Sequence, residues 1–202
     1  MFLNLKGRTC LVVGGSTVGM RKATSLLDAG ALVRLVCLES APSEVPPGLD
    51  WIKAHYSSMH LEKTCLAYAA ATADVNRIVV VDANERGIWV NSASDPESGD
   101  FLVPASRSLG RIELAVSTGG ASPALATYVR DHLVKHMDDA MIAWVDVLAT
   151  LRQEIQASLP ASACTAVLRE LADPNWLNRI RSESVETVLD EMRAVVNREA
   201  KR

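Results

Sequence analysis

The chain has 202 residues, a net charge of −3, and is 49% hydrophobic but only 4% aromatic. That length admits one α/β domain and a smaller module, and an apolar content made of Ala, Val and Leu suits a parallel sheet covered on both faces. The mild acidity speaks against nucleic acid or an anionic membrane as a partner. The lack of a charged-then-apolar leader or a spanning apolar run points to the cytoplasm.

A buried strand is predicted over 10–13, running into a glycine turn that opens a helix. Gly14, Ser16 and Gly19 occupy the three small-residue positions of a dinucleotide-binding fingerprint. Gly14 suits the tight turn, where a Cβ is unwelcome. Ser16 stands where the second glycine is expected; it is small, and its hydroxyl can donate to a phosphate. Gly15, Ser16, Thr17 and Val18 then form the turn and helix start, whose free N–H groups offer a pyrophosphate seat. The helix stops at Asp28-Ala-Gly30, and a second buried strand follows over 31–38. Glu39 closes that strand twenty positions after Gly19. An acid there accepts hydrogen bonds from an adenosine ribose and repels a 2′-phosphate, which favours NAD over NADP.

Residues 40–48 read as a loop, 51–56 as a short strand at or near a sheet edge, and 57–63 as a helical turn. A buried strand over 66–71 leads to Thr72-Ala-Asp74, with Asp74 as cap of a helix over 75–86 that Gly87 closes. A strand follows over 88–90, and 91–100 is polar and turn-rich. The pattern then changes: strands over 101–105 and 111–117 are joined by a turn near 108–110. After Thr118-Gly119-Gly120, Ser122 and Pro123 read as an N-cap and first-turn proline. Helices are predicted over 122–137, 138–158, 161–171 and 182–199, with Pro160 and Asp173-Pro174 as punctuation. The fold class is α/β: a Rossmann-like parallel sheet, then a small strand-plus-helix dimerisation region and a C-terminal helical segment. The expected division is 1–106, 107–145 and 146–202.

Four blocks now carry a family resemblance. They are Leu5-Lys-Gly-Arg-Thr-Cys-Leu-Val-Val-Gly-Gly15 with the Val18-Gly-Met-Arg-Lys-Ala23 helix start; Ala69-Ala-Ala-Thr72; Val90-Asn91 with Asp95-Pro96-Glu97, Gly99-Asp100-Phe101 and Pro104-Ala105; and Leu114-Ala-Val-Ser-Thr-Gly-Gly-Ala-Ser-Pro-Ala-Leu-Ala126. To about residue 150 the chain resembles the precorrin-2 dehydrogenase family, the dehydrogenase–chelatase module of siroheme synthase. The resemblance implies a homodimer that oxidises the tetrapyrrole precorrin-2 to sirohydrochlorin with NAD, in some members inserting iron or cobalt as well. It also implies that Ala71 and Thr72 line the cofactor site, and that Asn91, Thr118, Gly119 and Gly120 line a substrate cleft between the nucleotide domain and the dimerisation region. Family members carry an aspartate three positions after the asparagine matching Asn91. Here that position is Ser94, and the acid stands one step on, at Asp95. A carboxylate can stabilise charge on an oxidised macrocycle and accept its proton, and metal insertion needs such bases still more. The expectation is therefore a dehydrogenase with little chelatase activity, supplied by a separate methyltransferase and served by a separate chelatase.

Other readings stay open at this point. Asp95 takes the acidic role or merely starts a turn before Pro96. The 118–120 loop receives substrate carboxylates or only closes a strand–helix corner. Arg107 and Arg111 bind substrate carboxylates or are simply exposed. His132 and His136 have metal-ligand spacing, but no third ligand is evident, so no metal site is expected. Cys10, Cys37, Cys65 and Cys164 lack CxxC spacing and read as core residues in a reducing compartment. The competing functions are a bifunctional dehydrogenase–chelatase and, in another class, an NAD-sensing regulatory domain without catalysis.

Overall fold

The computed structural model describes residues 2–41 and 44–200, so part of the loop expected over 40–48 lies outside the described residues. The chain forms two compact units, one up to Leu102 and the other from Val103. The anticipated boundaries at 106/107 and 145/146 fall instead inside a strand and a helix of the second unit.

The first unit is a five-stranded parallel sheet. Its strands are β1 (Thr9–Val13), β2 (Leu32–Cys37), β3 (Leu49–Lys53), β4 (Leu66–Ala69) and β5 (Trp89–Ser92), in the order β3-β2-β1-β4-β5. Strand β1 is central and apolar at successive positions because both of its faces are covered. Cys10 and Val12 pack with Ala23 and Leu26 of helix α1 (Thr17–Asp28). Leu11 and Val13 pack with Val79, Val80 and Ala83 of helix α2 (Ala73–Glu85). Each large side chain so buried contributes about 1.5–3 kcal/mol. The strand order reverses direction between β1 and β4, which opens a crevice at the carboxyl ends of those two strands.

Two glycines make that crevice possible. Gly14 has φ +117°, and a Cβ there would stand 2.3 Å from the Ala70 carbonyl oxygen at the end of β4. A Cβ on Gly19 would stand 1.9 Å from the Gly14 carbonyl oxygen, so the first turn of α1 rests directly on the glycine turn. Gly19→Ala should therefore cost about 3 kcal/mol or more, because the obstacle is backbone and cannot rotate away. Thermal unfolding followed by circular dichroism checks this, and an unchanged midpoint would contradict the close contact.

The second unit begins with an antiparallel hairpin of β6 (Ala105–Leu109) and β7 (Ile112–Val116). Its turn uses Gly110 at φ +58°. Helix α3 (Pro123–Val134) follows, with the Ser122 hydroxyl accepting from Leu125 N at 3.2 Å. Helices α4 (Asp139–Ser158), α5 (Ala161–Leu171), α6 (Pro174–Ser182) and α7 (Val185–Ala200) share one apolar core that includes Leu151, Ile155, Leu171 and Met192. Arg179 on α6 pairs with Glu183 and with Glu191 of α7.

Several expected elements move. The apolar run Phe101-Leu-Val is not strand: β6 starts only at Ala105, after Pro104, which has no N–H to give a ladder. The predicted break at Asp173-Pro174 is the start of α6, with the Asp173 carboxylate accepting from Asn175 N at 2.8 Å and proline in the first turn. Thr72, not Asp74, occupies the N-cap of α2; Asp74 lies in the first turn and pairs with Arg77 at 2.8 Å. Asn91 and Ser92 belong to β5 rather than to the loop after it.

Candidate active site

A cleft of about 390 Å³ opens at the switch point. Gly14, Gly15 and Ser16 line it from the glycine turn, Glu39 from the end of β2, and Ala71 and Thr72 from the end of β4. Thr17 and Val18 form the exposed first turn of α1 beside it and are not part of its lining. The first N–H groups of a helix have no acceptor within the helix, so the start of α1 presents donors and the positive end of its dipole. Ser16 holds the N-cap position, yet its hydroxyl makes no cap bond, and the same is true of Thr72 at α2. Both hydroxyls remain available to a ligand.

Glu39 completes the cleft. One of its carboxylate oxygens lies 3.0 Å from where a Cβ on Gly15 would sit, so the acid leans over the glycine turn. Its carbonyl is held by Trp51 Nε1 at 3.1 Å. Burial and the neighbouring Glu39 side chain push the Cys37 thiol above its usual range. The residues fit a dinucleotide: a turn that tolerates no Cβ, donors at a helix start, and an acid at the end of the second strand.

Next to this cleft, the end of β4 is tied to the loop after β5. Asn76 in the first turn of α2 is 1% exposed. Its Oδ1 accepts from Ala71 N at 2.8 Å, and its Nδ2 donates to Ala71 O at 3.3 Å and to Ser94 Oγ at 3.0 Å. Ser92 Oγ lies 3.4 Å from Ser94 Oγ and accepts from Asp95 N at 3.2 Å. Asp95 precedes a short 3-10 turn, Pro96–Ser98, and its carbonyl accepts from Ser98 Oγ at 2.8 Å. Its carboxylate is exposed and makes no hydrogen bond among the described residues. Asn91 is buried and donates from Nδ2 to Phe101 O at 2.8 Å, while Asp100 accepts from Val90 N at 2.8 Å. Both hold the returning segment against edge strand β5.

In the second unit, the loop before α3 is braced from within. Thr118 Oγ1 donates to Ser122 O and accepts from Ser122 N, both at 3.0 Å. Gly119 and Gly120 have φ of +62° and +87°, and Gly119 N donates to Ser117 Oγ at 3.2 Å. Gly120 N–H makes no hydrogen bond among the described residues.

Residues 1–105 match a family model described as NAD(P)-binding, and residues 110–136 match the sirohaem biosynthesis protein central model. The fold resembles that of the solved structure "SirC, precorrin-2 dehydrogenase" with a TM-score of 0.78 over 98% of both chains, at 26% identity. The chain belongs to the precorrin-2 dehydrogenase family. Among curated relatives, it is 38% identical to siroheme synthase of Chromobacterium violaceum over 66% of this chain and 29% of that protein. It is 32% identical to siroheme synthase 1 of Aeromonas salmonicida over 78% of this chain and 35% of that protein. The chain thus spans about a third of the length of these relatives. The family places a nicotinamide cofactor in the first unit, in keeping with the cleft there.

The expected cofactor residues Gly14, Gly15, Ser16, Glu39, Ala71 and Thr72 come together in this one cleft of the family fold. His55 and Tyr56, which follow β3, also line it and carry no motif that singles them out. Tyr56 donates to Asp82 at 3.0 Å, and burial together with that carboxylate raises its hydroxyl pKa. Asn76 was missed, although its signal is present: it is the one polar residue on the apolar stripe Asn76, Val79, Val80, Ala83 of α2. Arg111 is not a free cation, since it pairs with Asp146 at 3.0 Å.

His132 and His136 stand with ring centroids 5.0 Å apart, next to Tyr128. His136 Nδ1 faces the His132 carbonyl at 2.9 Å. Among the described residues, no three His, Cys, Asp or Glu side chains are grouped to hold one metal ion. The four cysteines are free thiols, with Cys10 and Cys65 sulfurs 4.0 Å apart and the buried Cys10 pushed up to about 12. Among the described residues, no helix is long and apolar enough to cross a membrane.

Proposed function

We propose that this protein oxidises precorrin-2 to sirohydrochlorin with NAD, within siroheme biosynthesis, in the cytoplasm. The observation that carries the reading is the likeness to a precorrin-2 dehydrogenase over 98% of both chains, with the switch-point cleft fitted for a dinucleotide. When bound, the nicotinamide accepts the hydride that the macrocycle gives up. The chain's own residues do the remaining work. Gly14 and Gly15 let the backbone approach the pyrophosphate, Ser16, Thr17 and Val18 offer donors to it, and Glu39 holds the adenosine ribose. Ala71 and Thr72 form the wall under the reacting ring. Asp95, with an exposed and unengaged carboxylate, accepts the proton lost from the oxidised macrocycle, and Ser94 lines the same edge. Asn91 shapes that edge by anchoring Phe101. In the second unit, the loop of Thr118, Gly119 and Gly120 receives substrate carboxylates, with the free Gly120 N–H and the start of α3 as donors. A separate methyltransferase supplies the substrate, and a separate chelatase takes the product.

An anaerobic assay with precorrin-2 and NAD tests the reading. The expected result is NADH formation in step with sirohydrochlorin, with NADP a poor substitute. Binding of NAD with no turnover would favour a sensing domain instead.

The protein is further proposed to act as a homodimer. Helix α3 leaves Leu125 at 51%, Tyr128 at 68% and Leu133 at 40% exposure, apolar surface that a second copy of the chain would cover in a symmetric dimer. Light scattering at micromolar concentration should give twice the chain mass; a monomer overturns this part of the reading.

A further inference from the structure

The hydrogen bonds around Ser94 can be given a direction from the chemistry of their partners. A backbone N–H can only donate, so the Ala71 N–H at 2.8 Å fixes the Asn76 amide with its oxygen toward Ala71 N. Nδ2 must then face Ser94 Oγ, and at 3.0 Å the serine oxygen accepts. Ser92 is 3% exposed, and its oxygen already accepts from Asp95 N. Its own proton needs an acceptor, because a buried unpaired donor is costly. Among the described residues the oxygen within reach is Ser94 Oγ, at 3.4 Å. A hydroxyl oxygen has two acceptor sites, and both are now taken. The Ser94 proton is left facing the open side.

From this we infer that Ser94 is a dedicated hydrogen-bond donor to a bound oxygen, and that Asn76 and Ser92 are the positioning residues that make it one. Asn76 performs this from a fixed mount: it is buried on α2 and clamps both the N–H and the C=O of Ala71, a residue of the cleft wall. The end of β4 and the Ser94 hydroxyl therefore hold one geometry. The chemistry recognised is an acceptor oxygen, either a carboxylate of the tetrapyrrole or the carboxamide carbonyl of the nicotinamide. The inference rests on the dehydrogenase reading only for the identity of that oxygen.

The test measures binding separately from turnover, with NAD by calorimetry and sirohydrochlorin by absorbance titration, on the full chain. Ser94→Ala should weaken one of the two by about tenfold or more, the usual loss for a hydrogen bond to a polar or charged partner. The ligand affected names the acceptor. Asn76→Asp keeps an oxygen for Ala71 N but has no proton for Ser94, so the serine turns its own proton inward. It should weaken the same ligand by a similar factor, and in a Ser94→Ala background it should add no further loss. A merely structural role for Asn76 gives losses that multiply instead. Ser92→Ala, which leaves Ala71 untouched, should act in the same direction but less strongly, and serves if Asn76→Asp does not fold.

Unchanged affinity for both ligands in Ser94→Ala overturns the inference, and so does a multiplying loss in the double variant. Should the unaltered protein fail to oxidise precorrin-2 while Ser94→Ala still weakens one ligand, the proposed function falls and the donor role stands. A protein that binds neither ligand overturns both.

Discussion

Replacing Glu39 by alanine should cut the preference for NAD over NADP by about ten- to a hundredfold. The carboxylate leans over the glycine turn, 3.0 Å from where a Gly15 Cβ would lie, at the end of β2. An acid so placed accepts hydrogen bonds from the two ribose hydroxyls of NAD, and a hydrogen bond to a charged group contributes about 1.5–3 kcal/mol. The same charge repels the 2′-phosphate of NADP. Alanine removes both effects, so kcat/KM for NAD should fall while that for NADP rises. Steady-state kinetics with each nucleotide at saturating precorrin-2 reads the ratio. Equal turnover with the two cofactors in the unaltered protein would remove Glu39 from the cofactor site.

The second large effect is expected at Asp95. Loss of its carboxylate should lower kcat for precorrin-2 oxidation by about a hundredfold or more, the usual contribution of a general base. NAD affinity should stay the same, since the role proposed for the group is on the macrocycle. Calorimetry for NAD beside single-turnover kinetics separates the two. An Asp95→Ala enzyme with unchanged kcat would leave Asp95 only as the start of its 3-10 turn.

Position 94 bears on metal insertion in a related way. Asn76 Nδ2 and Ser92 Oγ, aimed at Ser94, would also serve a carboxylate there and hold it ionised. Ser94→Asp should therefore bring measurable iron or cobalt insertion into sirohydrochlorin, where the unaltered protein shows little above the spontaneous rate. Robust insertion by the unaltered protein would show that an acid at position 94 is dispensable.

Much of the first unit was legible because its signals are local. Successive buried positions in β1, a glycine turn running into a helix, and an acid at the end of the next strand depend on neighbours in sequence, and they predicted the parallel sheet and most of its cleft. Ser122 and Pro123 likewise marked the start of α3 through local cap chemistry. The same chemistry at Asp173 and Pro174 reads in sequence as a break, because an acid followed by proline suits a turn as well as a helix start. The packing of Ile180 into the bundle core, with Trp176 against it, selects the helix.

What the tertiary structure alone decided depends on contacts between residues far apart in sequence. The hairpin register pairs Ala105 with Val116 and Leu109 with Ile112, which no reading of Phe101-Leu-Val as an apolar run could supply. The ion pair that takes Arg111 out of the pool of free cations needs Asp146, 35 residues away. The direction of the Ser94 hydrogen bond needs Asn76, 18 residues earlier, on the far side of β5 in sequence. Sequence determined the kind of site through residue type and spacing. Only the folded chain, by bringing Ala71, Asn76, Ser92 and Ser94 within hydrogen-bond range, decided which of their polar atoms pair with one another, because a buried amide or hydroxyl such as that of Asn76 or Ser92 must be paired wherever the fold happens to place it.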